Sequence, residues 1–242
     1  DTLNTVSRGM YYYVLTDTRL NAFTNGGKEI YSHSHGFESP VLKTSATRAM
    51  VFDQGGNEAY IYNLKEQKQS LKTDTEIINA AISDSGVYAV ITRSESYASV
   101  VTVYSRGGKK IYTWYSSSDT VNNVAIAPNG KKIAITAFNA ANGKFNSKIC
   151  ILNFNSANPI NTVNIEGGPI MTLESFHRAG FIAATENKLF FTDWSGKGSS
   201  EYKNDYTLSC LRPGAGGTVA VFNRESDRAD NRIVLFGTKG KQ

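Results

Sequence analysis

The chain has 242 residues, 40% of them hydrophobic, and a formal net charge of +5. That apolar share can build a packed core, yet no run approaches the roughly eighteen consecutive apolar residues of a membrane-spanning helix. The positive charges are scattered through turns such as Lys109-Lys110 and Lys131-Lys132, where lysines solvate and protect strand edges. A nucleic-acid groove needs a basic stripe interleaved with stacking aromatics, so no nucleic-acid partner is expected.

From Asp1 the chain opens on a polar stretch without the pattern of a signal peptide, and it reads as a trimmed or mature product. Abundant Tyr and Phe, with many Val, Ile and Thr, favour strands over helices. A hairpin then recurs at intervals of about forty residues, starting at Leu20, Tyr60, Val101, Cys150, Leu189 and Val234. Each copy carries a large anchor residue, in turn Phe23, Tyr62, Tyr104, Leu152, Phe191 and Phe236. The repeats run roughly over 1–39, 40–76, 77–119, 120–168, 169–206 and 207–242.

The third repeat predicts four strands most clearly. Ile77-Ile-Asn-Ala-Ala-Ile-Ser is the first, and Asp84-Ser-Gly turns the chain with the positive φ that tight hairpins demand. Val87-Tyr-Ala-Val-Ile-Thr, Val100-Val-Thr-Val-Tyr and Ile111-Tyr-Thr-Trp-Tyr follow. The fourth repeat copies this with Val121 to Ala127, Pro128-Asn-Gly and Lys132 to Ala137. Asn139-Ala-Ala-Asn-Gly is polar and Gly-terminated, and is predicted to be loop.

A strand-rich unit of this period predicts an all-β chain, a β-propeller of four-stranded antiparallel blades in a six- or seven-bladed ring. One monomeric propeller domain over 1–242 is expected. The first repeat begins near its second strand at Met10 and the last stops after its third. Leu3-Asn-Thr-Val-Ser is therefore expected to lend a strand to the far end, or the natural protein to continue past Gln242 into another blade.

Propeller geometry directs the search for a site to the end of the blades where second-to-third-strand loops and inter-blade connections gather. That end collects Ser32-His-Ser-His-Gly-Phe, Asp53-Gln-Gly-Gly-Asn, Arg93-Ser-Glu-Ser-Tyr, Phe138 to Ser147 and Asn223 to Asn231. Tyr97, at a loop tip, suits a partner surface. Asn139 and Lys144 belong to the long loop, and Arg228 to a charged loop with Glu225, Asp227 and Asp230 that is either self-compensated or a lip for an anionic or protein partner. His33 and His35, two apart on an extended segment, point to one side, but no Cys or carboxylate cluster completes a metal sphere. His35 is retained as a partner contact and no metal is expected. The third histidine, His177, is predicted in a turn at the opposite end.

Nucleophilic chemistry finds little support. There is no Gly-x-Ser-x-Gly elbow, and neither Cys150 nor Cys210 has a histidine beside it in the sequence. Both cysteines read as buried small hydrophobes. Ser195-Gly-Lys-Gly and Gly237-Thr-Lys-Gly-Lys are hairpin turns, without the strand-to-helix setting of a phosphate loop. Trp114 and Trp194 suit hairpin packing or a carbohydrate-stacking platform.

Several runs resemble one family. They are Val14-Leu-Thr-Asp-Thr-Arg-Leu, Gly27 to Thr44, Val51-Phe-Asp-Gln-Gly-Gly and Ser94-Glu-Ser-Tyr-Ala-Ser-Val-Val-Thr-Val-Tyr. Together they resemble an uncharacterised, domain-of-unknown-function family of Gram-positive bacterial propeller proteins. Ser83-Asp-Ser-Gly and Ala127-Pro-Asn-Gly are similar to the turns of WD40-like and quinoprotein-like repeats. The resemblance implies a membrane anchor outside this chain and an extracytoplasmic, anchored or secreted location. It brings no catalytic residues. The resulting expectation is a binding module for a protein or cell-envelope partner, using Tyr97, Asn139, Lys144, Arg228 and His35, without a cofactor. The alternative is a glycan-active hydrolase or lyase at the channel mouth.

Overall fold

The computed structural model describes residues 1–63, 67–141, 144–166, 168–176, 180–214, 216–224 and 227–237. At Arg8, Gln67, Lys68, Ala141, Lys144, Asp227, Arg228 and Ala229 the backbone alone is described. No described residue is helical, and so no helix is long and apolar enough to cross a membrane.

Six antiparallel meanders account for the strands, and each lies within one sequence repeat. The first is β1 (Thr2–Arg8), β2 (Tyr11–Thr16), β3 (Arg19–Thr24) and β4 (Glu29–Ser34). The second is β5 (Pro40–Thr44), β6 (Ala49–Asp53), β7 (Glu58–Tyr62) and β8 (Gln67–Lys72). The third is β9 (Ile77–Ile82), β10 (Tyr88–Thr92), β11 (Ser99–Tyr104) and β12 (Lys110–Ser116). The fourth is β13 (Thr120–Ile126), β14 (Lys132–Ala141), β15 (Lys144–Asn153) and β16 (Asn161–Ile165). The fifth is β17 (Thr172–Phe176), β18 (Gly180–Ala184), β19 (Lys188–Asp193) and β20 (Ser199–Lys203). The sixth has three strands among the described residues, β21 (Thr207–Gly214), β22 (Gly217–Arg224) and β23 (Asp227–Phe236).

Burial explains the order of strands. β10 and β18 are buried at every position, the mark of strands covered on both faces. The fourth strands are wet, and β20 is almost wholly exposed.

The chain divides into two compact units, Asp1–Ser118 and Asp119–Gln242. In the first, β1 neighbours β5 and β5 neighbours β9, so first strands lie together while the sheet faces pack. One core lies between the first and second sheets (Tyr13, Leu15, Leu20, Tyr62), another between the second and third (Met50, Phe52, Ile77, Tyr88). In the second unit β13 neighbours β17 and β17 neighbours β21. Its cores join Ile149, Ile151 and Phe181, then Phe191, Phe222 and Phe236. Five of the six anchors are buried; Phe23 is half-buried and stacks on Tyr12 with centroids 4.9 Å apart.

Three expectations change. The segment around Leu3 is the first strand of its own sheet, with Val6 opposite Tyr13, and does not complete the last sheet. A strand closest to β2 in sequence pairs there at the lowest loop-closure cost. The stretch 138–147, expected as loop, continues β14 and β15 as an elongated hairpin from Lys132↔Asn153 to Ala141↔Lys144. Likewise, much of 223–231 belongs to β22 and β23.

The Gly-Gly motif also finds its reason. Gln54, Gly55 and Gly56 bridge the second and third sheets: Gly55 N–H donates to Ile77 O (2.9 Å), Ile77 N–H to Gly56 O (2.7 Å) and Gln54 Nε2 to Ile78 O (3.0 Å). Gly55 adopts φ +87°, a left-handed conformation that suits glycine. A Cβ at Gly56 would run into the Asp53 carboxylate, which is occupied by Ser39 N–H at 2.7 Å. Gly56→Ala is therefore expected to cost about 1–3 kcal/mol, measured as a lowered urea midpoint with an unchanged slope.

Candidate functional site

The elongated hairpin builds a cleft in the second unit. Cross-strand register places Phe138 opposite Ser147, Asn139 opposite Asn146 and Ala140 opposite Phe145. Side chains alternate across a strand, so one face of the arm carries Phe138 and Phe145, and the other Asn139, Asn146 and Lys148. On the aromatic face the two rings stack diagonally, centroids 5.0 Å apart and 20° from parallel, with Phe145 45% exposed.

A hydrogen-bonded chain runs along the polar face. Lys148 Nζ lies 2.7 Å from Asp119 Oδ2, and Asn139 Nδ2 donates to Asp119 Oδ1 at 2.5 Å. Asn146 Nδ2 donates in turn to Asn139 Oδ1 at 3.2 Å. Burial pushes the Asp119 carboxyl upward, but the bonds from Lys148 and Asn139 and the ammonium charge outweigh it, and its pKa is lowered. The hydrogen bond to Asp119 raises Lys148 in turn, against a smaller effect of burial.

The fourth strand is shorter than the hairpin. β16 ends with Ile165 opposite Ser147, so among the described residues the outer edge of β15 from 144 to 146 has no strand beside it. The resulting notch has a volume of about 770 Å³ and is lined by Asn139, Phe145, Asn146, Ser147, Lys148, Asn164, Ile165 and Glu166. Ser147 Oγ is committed to Gly168 O (3.0 Å), which ties the chain after β16 against the arm. The surface thus offers carboxamides, one exposed ring and the exposed carboxylate of Glu166. These groups hydrogen-bond and stack; Lys148 and Asp119 neutralise each other.

The sequence-predicted residues are dispersed. Asn139 lines the notch, and Lys144 starts β15 on the same hairpin, its side chain outside the described residues. Tyr97 is in the first unit, 43% exposed, with its ring 4.7 Å from that of Tyr115, itself 53% exposed. The side chain of Arg228 lies outside the described residues, as do Glu225 and all of His177. Nearby charges are compensated: Asp230 accepts from Tyr206 Oη (2.9 Å) and pairs with Arg224 (3.7 Å).

His35 is a correction to the contact set. It is buried, its Nε2 donates to Thr16 O (3.1 Å), and its Nδ1 accepts Phe37 N–H (3.2 Å). Both nitrogens are spent on folding the chain past β4. Trp194 is likewise structural, packed edge-on against Phe181 at 5.2 Å. Among the described residues no three His, Cys, Asp or Glu side chains gather as metal ligands. Sequence reasoning missed Phe145 and the Asp119–Lys148 pair. The available signal was the repeated dipeptide Phe138-Asn139 and Phe145-Asn146 on either side of Asn-Gly in the sequence, a hairpin pattern.

Four-stranded meanders packed side by side through their first strands define a β-propeller, and solved structures agree. The Neurospora crassa Pan2 WD40 domain matches 100% of this chain and 77% of its own at 12% identity, with a TM-score of 0.65. A chain of the Mitotic Checkpoint Complex matches 94% and 74% at 11% identity, TM-score 0.66. A chain of Kuenenia stuttgartiensis hydrazine synthase matches 96% and 82% at 15% identity, TM-score 0.63. These likenesses establish the fold. The chain belongs to a family of unknown function, DUF5711, which it matches over residues 4–242. No functionally curated protein matches it.

Removing the Asp119 charge tests the network. A carboxyl with a lowered folded pKa contributes stability above its unfolded value of about 3.9 and loses it as pH falls through the folded value. Asp119→Asn should therefore cost about 1–3 kcal/mol near neutrality, and the difference from the unaltered chain should shrink below pH ~4. Urea titrations across pH 2.5–8 check this.

Proposed function

We propose that this propeller is an extracytoplasmic binding module that recognises a protein or cell-envelope partner through the β14–β15 hairpin. The observation that carries this reading is the notch beside the arm, where an exposed ring and several carboxamides are held by strand pairing. Aromatic surface and amide donors and acceptors suit a peptide or glycan surface. Phe145, Asn139 and Asn146 are the central contacts, with Lys144 at the hairpin end. Tyr97 with Tyr115 and the strand carrying Arg228 are further contact candidates. A membrane anchor outside this chain fits the same role.

The hydrolase or lyase alternative requires convergent carboxylates with different environments. Asp119, which does not line the notch, is bound to Lys148 and Asn139, and Glu166 is the exposed carboxylate of the lining. That arrangement favours binding over bond cleavage.

A photo-crosslinking amino acid at Phe145, installed in the protein in its native cell, should give a discrete adduct under light. The same group at Phe23 should give none. Asn139→Ala with Asn146→Ala should weaken capture at least tenfold, about 1.4 kcal/mol. The reading fails if Phe145 yields no adduct, or if purified protein cleaves envelope glycans at a rate that Glu166→Gln abolishes.

A further inference from the structure

The seam between the first two sheets gathers polar atoms for which no described residue supplies a hydrogen-bond partner. Tyr13, Ala22 and Tyr31 form one cross-strand row of the first sheet, and His33 lies in the next row opposite Leu20. Tyr62 enters from the second sheet, opposite Ala49. With only methyl groups at 22 and 49, large rings fit between the sheets. Tyr13 and Tyr62 are fully buried and Tyr31 is 7% exposed. Their arrangement is fixed by ring contacts: Tyr31 lies 5.9 Å from Tyr62 and 4.9 Å from His33, and His33 lies 5.5 Å from Tyr62.

The hydroxyls of Tyr13, Tyr31 and Tyr62 and the Nε2 of His33 are all buried, and none has a hydrogen-bond partner among the described residues. The phenols are close enough that Tyr31 is influenced by both Tyr13 and Tyr62. Burial first pushes all three upward, Tyr13 to about 12; the second cause is Tyr11 for Tyr13, Tyr60 for Tyr62, and Tyr13 with Tyr62 for Tyr31. They are neutral hydroxyls at physiological pH.

Other tyrosines in the chain are served by protein groups. In the next seam Gln69 Nε2 donates to Tyr88 Oη at 2.7 Å. Asn204 Nδ2 donates to Tyr202 Oη at 2.9 Å, and Tyr206 Oη donates to Asp230 at 2.9 Å. Leaving one buried hydroxyl unpaired is costly, and a domain's net stability is small. Four such groups in one place call for a shared partner. A buried anion or cation would need a compensating charge, whereas the packing around these groups is aliphatic and aromatic, with Leu15, Leu20, Phe37, Leu42 and Val51 in the same core. Water is neutral, both donates and accepts, and typically makes two to four bonds in such sites.

We propose that this seam is a built binding site for internal water, at least one molecule of which bridges Tyr13, Tyr31, Tyr62 and His33 Nε2. The water joins the first sheet to the second, as Gln69 joins the second to the third.

Replacing each tyrosine by phenylalanine in the full chain keeps the ring and removes only the hydroxyl. With a bridging water, Tyr13→Phe, Tyr31→Phe and Tyr62→Phe each lower the folding equilibrium constant about three- to tenfold. Pairs of substitutions then depart from additivity although the hydroxyls do not bond one another. Urea unfolding reads both effects. An orphaned hydroxyl predicts the opposite, variants as stable as the parent or more so, and that result overturns the proposal. A high-resolution crystal structure of the unaltered chain decides independently. Density within hydrogen-bonding distance of at least two of the four atoms supports the site; its absence, or hydroxyls bonded to each other, removes it.

Discussion

A sheet whose inner strands are apolar on both faces, as β10 and β18 are, cannot stand alone in water. Such a meander needs cover on both faces, and within each unit packing against a neighbouring meander supplies it at every shared seam. Burial of apolar area, roughly 25 cal/mol per Å², drives this side-by-side packing. It also dictates residue size: alanines at 22, 49 and 59 let tyrosines and phenylalanines of the facing sheet enter. The large residues supply the buried area and the small ones set how closely the sheets approach.

Hydrophobic contact has no direction, so polar links fix how one sheet sits on the next. At one end of the seam between the second and third sheets, Gln54 to Gly56 bond to Ile77 and Ile78. At the β5–β6 and β9–β10 turns, the Asp84 carboxylate accepts Ala46 N–H (2.7 Å), and its carbonyl accepts the Thr47 hydroxyl (3.0 Å). In the second unit Asn122 Nδ2 donates to Ile170 O (3.0 Å), joining the fourth sheet to the segment before β17. Asp53-Gln-Gly-Gly, which looks like a ligand loop in the sequence, and the tight turn Ser83-Asp-Ser-Gly are therefore both consumed by inter-sheet geometry.

The fold was legible because its physics is repetitive. Period-two alternation, an Asx-Gly or Gly-Lys turn and a large anchor recur often enough to mark each blade, and the four strands of the third repeat lie within a residue or two of those expected. The site was less legible because its residues are defined by pairing. Asn139 was visible as a polar residue in an apparent loop, but its link to Asp119, twenty positions away, arises only when β13, β14 and β15 stand side by side. His35 misled for the converse reason. An isolated histidine near a strand end looks available, yet its carbonyl and amide partners are backbone groups that sequence does not advertise.

These constraints also locate where binding chemistry can reside. Residues of the inner strands are committed to seams, and the tight turns are committed to neighbouring sheets. What remains is the outer edge, and there the β14–β15 arm outruns its fourth strand, β16. A loop at that position would have to be ordered when a partner bound, at a cost of about 0.5–1.5 kcal/mol for each immobilised side chain. Strand pairing removes much of that cost, because Asn139 is already held by Asp119 and Asn146, and Phe145 by Phe138. The same ion pair that stabilises the arm cancels the charge of Lys148. The prepared surface is therefore one of rings and amides, suited to a partner recognised by shape and hydrogen bonding more than by charge.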